Sequence, residues 1–187
     1  MSEHKLHSAA LALAAALAAL AGAAPAAPAA ASTTYAVSGR QTIVDENAGT
    51  SLMRGDLRGA WKTTSFTEIA KEPIYQAKGT EAFKGCLDRG RDGSCAGDPS
   101  GRLEFSFLYW GSFDASDNLN WGACYHPITG GSGDFAGATG ALVFTDTPNG
   151  KDVLTRYIGT LTLDRGHNAR AHRSAARAAR TAGCGAH

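Results

Sequence analysis

Three ionisable side chains sit on otherwise apolar, strand-like segments in the middle of the sequence. Glu81 lies in Gly79-Thr-Glu-Ala-Phe83, Glu104 in Arg102-Leu-Glu-Phe-Ser-Phe107, and His126 in Cys124-Tyr-His-Pro127. A carboxylate taken out of water holds its proton more tightly, and an imidazole titrates near neutrality. Each could therefore move a proton to or from a confined substrate. The plainer readings are a glutamate facing water and a rim histidine that serves only as a hydrogen-bonding group. Phe105, Phe107, Tyr109 and Trp110 are the aromatic groups expected to touch a ligand. Tyr109 and Trp110 are neighbours on a strand and point to opposite faces, so one of them contacts the interior while the other coats the outside.

Other chemistries lack their residues. There is no Gly-x-Ser-x-Gly nucleophile elbow, no His-Glu-x-x-His pair, and no phosphate-binding glycine loop opening a helix. The cysteines show no paired Cys-x-x-Cys spacing and have no His pair nearby, so no metal site is expected. Asp88, Asp92 and Ser94 echo a calcium loop, but Gly90 stands where a ligand is needed and the distal Glu is missing. That stretch reads as a turn.

Lys5 and two histidines precede an unbroken apolar run from Ala9 to Ala21, followed by a small-residue stretch to Ala31. This is the layout of a cleaved export signal, and the run is too short to span a bilayer. Cleavage near Ala31–Ser32 is expected, and no later segment could form a membrane span. In an oxidising compartment Cys86, Cys95, Cys124 and Cys184 are disulfide candidates. Cys86 and Cys95 flank the polar turn Leu87-Asp-Arg-Gly-Arg-Asp-Gly-Ser94, where a hairpin would bring them together, and this leaves Cys124 either free or paired to the tail.

The elements that must position these groups are strands. Arg102–Phe113 is the clearest, with Leu103, Phe105, Phe107 and Tyr109 alternating against Arg102, Glu104, Ser106, Leu108 and Trp110. Tyr35–Val44, Arg54–Glu68, Ile74–Phe83, Trp121–Ile128, Phe135–Thr145 and Val153–Leu163 are the others, and Arg54–Glu68 reads as two strands or one long bent one. A Gly-rich corner at Gly130–Gly133 and Pro148-Asn-Gly150 mark reversals. Sequential strands with short links favour a meander, and closing it removes the exposed edges. The expectation is an all-β chain: residues 1–31 a signal peptide, residues 32–164 a single antiparallel closed β-barrel of about eight strands, and residues 165–187 a basic disordered tail. Charge divides the same way, with 12 Lys+Arg against 16 Asp+Glu in residues 32–164, a net of −4, and five Arg without an acid in residues 165–187. The tail reads as a solvated appendage, and no nucleic-acid partner is expected.

The segment Ile128-Thr-Gly-Gly-Ser-Gly-Asp-Phe-Ala-Gly-Ala-Thr-Gly-Ala-Leu-Val-Phe144 resembles the G-G-[ST]-G-x-F-x-x-A-x-G signature of allene oxide cyclases and dirigent proteins. Tyr157-Ile-Gly-Thr-Leu-Thr-Leu163 is similar to the closing strand of that barrel. The resemblance spans Tyr35 to Leu163 and is motif-like only after Trp121. It implies an eight-stranded barrel around an apolar cavity that folds a reactive molecule and steers its cyclisation, isomerisation or radical coupling without metal or cofactor. It also implies association as a homodimer through an outer sheet face. The family's catalytic positions match no motif here, and none is transferred. The expected function is that of a secreted, extracellular barrel that binds a small apolar molecule, with cofactor-free cyclisation or isomerisation left open. The alternative is a non-catalytic structural or interaction protein whose barrel is filled by side chains.

Overall fold

The computed structural model describes residues 31–164. The expected export signal and basic tail, Cys184 included, lie outside the described residues except for Ala31. Eight strands follow in order: β1 (Ser32–Asp45), β2 (Thr50–Gly55), β3 (Leu57–Ala70), β4 (Tyr75–Leu87), β5 (Ser100–Phe113), β6 (Leu119–Gly133), β7 (Thr139–Asn149) and β8 (Asp152–Asp164). Each pairs antiparallel with the next, and β1 pairs with β8 from Ser32↔Asp164 to Gln41↔Thr155, which closes the barrel.

One open alternative is resolved and two boundaries depart from the sequence pattern, each for a physical reason. The Arg54–Glu68 run is divided between two strands, broken where Gly55 takes a φ of +114° and Asp56 turns inward to accept the Ser38 N–H at 2.7 Å. Gly130–Gly133 is not a corner: it continues β6, with Gly131 opposite Leu103 and Gly133 opposite Gly101. The reversal comes after it, and Phe135 sits in the turn before β7 rather than on a strand, with Ala138 N–H donating to the Phe135 carbonyl at 3.0 Å. A Cβ on Gly131 would collide with that carbonyl, so the close approach of turn and strand requires glycine here.

Antiparallel order places the turns at residues 46–49, 71–74, 114–118 and 150–151 at one end of the barrel. Residue 56 and the connections 88–99 and 134–138 lie at the other end. This second end is packed solid. Leu57, Phe83, Leu87, Leu103, Phe135 and Leu161 are all buried there, and each large apolar side chain removed from water contributes about 1.5–3 kcal/mol. The Cys86–Cys95 disulfide and the ion pairs Arg58–Asp88 and Arg91–Asp56 hold the long connection across that end. Tyr157 ties three strands together inside the wall, because its hydroxyl accepts the Leu57 N–H at 2.8 Å and faces the Leu57 and Arg54 carbonyls.

Candidate functional site

Above this packed half the barrel opens into a cavity of about 420 Å³. Trp61 lies under it, stacked against Phe105 at 4.7 Å and Phe144 at 5.2 Å between ring centroids. Every strand except β2 contributes a lining residue. With six residues, β2 begins opposite Lys62, so the outer part of β3 overhangs it. Beside that overhang a second hollow, lined by the 46–49 turn and Thr63–Phe66, shares Glu46, Thr63 and Phe66 with the main cavity.

The polar centre of the cavity comes from β3, β4 and β6. On β4, Ala77, Gly79, Glu81 and Phe83 share the inward face; on β6, Gly122, Cys124 and His126 do so. Glu81 Oε2 stands 2.6 Å from His126 Nε2, and Thr63 Oγ1 donates to Glu81 Oε1 at 2.8 Å. Both oxygens of the carboxylate are thereby engaged, and the short contact with Nε2 is that of a hydrogen bond strengthened by charge. The side chains of His126 and Glu81 are only 5% and 12% exposed. Phe144 at 4.5 Å, Trp61 at 5.5 Å and Phe107 at 5.8 Å surround the imidazole. Its Nδ1 is buried without a hydrogen-bond partner among the described residues.

A second polar group faces the same space. Thr155 Oγ1 donates to Asp146 Oδ1 at 2.6 Å, and burial raises this carboxyl above the usual range, opposed by the Thr155 hydrogen bond and the nearby His126. A Cβ on Gly122 would collide with the Tyr109 hydroxyl and lie 3.0 Å from Asp146 Oδ2, so both oxygens pack close to the Gly122 backbone. Burial, and then the Asp146 charge, push the Tyr109 phenol well above its ordinary value. Cys124 is a free, buried thiol 3.6 Å from His126 Nε2. Burial and the charges of Glu81 and Asp146 on either side push it far up, which keeps it a thiol and removes it as a nucleophile.

The residues singled out by sequence thus separate. Glu81 and His126 come together, 45 positions apart, and Phe107 and Tyr109 line the cavity beside them. Glu104 does not join them: it faces outward, exposed, and accepts from Arg102 Nε at 3.1 Å. Phe105 points inward but lies buried against Trp61, outside the cavity lining, and Trp110 is half-buried on the outer face. Asp146, Thr155 and Thr63 were missed, although Asp146 continues the alternation Leu142, Phe144 by one more step. Among the described residues no three His, Cys, Asp or Glu side chains are grouped to hold a metal ion.

By its fold the chain is a closed eight-stranded antiparallel β-barrel, half packed and half hollow. Comparison with protein families, with curated proteins and with solved structures gave no match.

Proposed function

We propose that the chain is an exported barrel that holds a small, largely apolar molecule in its open half and promotes cofactor-free isomerisation or cyclisation by proton transfer. The observation that carries this reading is the Glu81–His126 pair, 2.6 Å apart in the wall of a 420 Å³ cavity. A barrel whose interior served only for stability would gain by filling that space with apolar side chains, since a buried polar pair seldom beats hydrophobic packing. A carboxylate held by two donors, beside aromatic walls and shielded from water, is instead equipped for general acid–base work. Phe66, Phe107 and Phe113 provide the apolar contact.

Export is supported by the leader-like start of the sequence and by the Cys86–Cys95 disulfide. The likeness of Gly130–Gly140 to the allene oxide cyclase and dirigent signature points the same way. The test is native mass spectrometry of the protein recovered from its producer's culture medium, followed by identification of any released molecule. A stoichiometric apolar passenger is expected. Protein that emerges empty and takes up no hydrophobic probe would refute the reading.

A second reading, a non-catalytic interaction barrel, is favoured by one feature of the outer wall. Tyr125, Val143 and Ile158 face each other across β6, β7 and β8 as an exposed apolar row. Sedimentation of the purified chain as a homodimer that dissociates on Ile158→Lys substitution would support it.

A further inference from the structure

Resting on the reading of the cavity as a ligand site, we propose that its occupant is a neutral, enolisable ketone or enone. Its oxygen meets Tyr109, and its acidic C–H faces Glu81.

The assignment follows from how the polar groups divide. Glu81 is the basic member: its two oxygens accept from Thr63 and His126, and the part of the side chain left accessible opens on the cavity. His126 is a positioning residue. Its Nε2 holds the carboxylate, and its Nδ1 is too deeply buried to reach a ligand. The Tyr109 hydroxyl lines the same cavity, and burial holds its proton to higher pH than in water. A neutral O–H donor in a site shielded from water suits an oxygen on which negative charge develops during reaction. A carboxylate ligand would instead arrive beside Glu81 and Asp146 with no cation to meet it, because among the described residues no Lys or Arg lines this cavity. A hydrocarbon would leave the phenol unused.

The step balances without a co-reactant. Glu81 takes the proton from the carbon next to the carbonyl. The C–H electron pair becomes the enolate C=C as the carbonyl π pair moves to oxygen, where Tyr109 donates. Once Glu81 has traded that proton for one from solvent, delivery to the same carbon gives exchange; delivery of a proton to the far carbon of an unsaturated ketone moves the double bond. Cys124, held as a thiol between the two groups, does not add to the enone.

The experiment uses 2-tetralone as probe and naphthalene as its apolar control. Binding of both to the full chain is read by native mass spectrometry, and deuterium uptake at the ketone's α-carbon in D2O is read by NMR. Wild type is expected to bind both and to accelerate exchange. Glu81→Gln should keep binding while exchange falls by roughly 100-fold or more. Tyr109→Phe should weaken tetralone about 10-fold, the loss of one good hydrogen bond, and leave naphthalene unchanged. Binding without accelerated exchange, or exchange indifferent to Glu81→Gln, overturns the assignment while the ligand site stands. Failure to bind either probe overturns both.

Discussion

Replacing Glu81 by leucine removes the acceptor for two donors at once. The Thr63 hydroxyl is partly accessible and can turn to water, but the buried His126 Nε2 keeps only the Cys124 sulfur at 3.6 Å, a weak acceptor, and Nδ1 has no partner among the described residues. An orphaned buried donor costs about 1–3 kcal/mol, and loss of a bond to a charged group puts this case near the upper part of that range. Leucine recovers a fraction through added apolar contact, leaving a net loss of about 2 kcal/mol. For a domain of this size each kcal/mol moves the melting temperature by roughly 3–4 °C, so Glu81→Leu should melt about 7 °C below wild type. Glu81→Gln keeps an amide oxygen for Nε2–H and should lose no more than about 1 kcal/mol. His126→Phe strands the carboxylate in turn and should cost as much as Glu81→Leu. The double variant Glu81→Leu/His126→Phe leaves neither group unpaired and should match or exceed wild-type stability, as paired apolar replacements of buried ion pairs do. Urea melts of the four variants, compared at constant m-value, give the coupling directly. A Glu81→Leu protein as stable as wild type would refute the reasoning, and so would a double variant whose loss equals the sum of the two singles.

Three other outcomes follow from the wall and the floor. Asp146 has its carboxyl raised by burial, so its stabilising contribution is complete below its ordinary value of 3.8 and is lost as pH rises through the folded-state value. Asp146→Asn, which cannot ionise and can still accept from Thr155, should unfold at higher urea than wild type at pH 7, and the advantage should fade at pH 3; an unchanged difference at both pH values would count against this. Tyr157, its phenol pushed up to about 12 chiefly by burial, accepts the Leu57 N–H at 2.8 Å. Tyr157→Phe should cost about 1–3 kcal/mol in thermal or urea melts. Phe135→Ala removes the buried side chain that closes the packed end, and should cost about 3–5 kcal/mol by urea titration without altering uptake of a probe at the open end.

The barrel was legible because its strands alternate so regularly. Leu103, Phe105 and Phe107 on one side of Arg102–Phe113 announced an interior face, while the inward face that Glu81 shares with Phe83 came only with the structure. The Cys86–Cys95 bridge was legible from the turn between them. What period two cannot convey is depth: Phe105 and Phe107 both point inward, yet Phe105 is floor and Phe107 is cavity wall. Nor can it convey register between strands far apart in sequence. Between β5 and β6 the pairing slips, with Glu104 opposite Gly130 but Phe105 opposite Ile128. That irregularity helps set which β6 side chains stand near β4, and so whether His126 reaches Glu81. Asp146 was lost for a simpler reason: the strand was ended at Thr145, but β7 continues to Asn149. Pro148 and Asn149, read as the start of a reversal, belong to the strand, paired with Val153 and Asp152.

The most direct test of the hollow half as a ligand site is a calorimetric titration of the chain with 2-tetralone, run in parallel on Gln41→Trp. Gln41 lines the cavity from β1, and an indole there would fill space that the ligand needs. One-to-one binding to wild type that is abolished in a folded Gln41→Trp protein is the predicted result. No binding to wild type, or binding that the tryptophan leaves unchanged, would contradict the account.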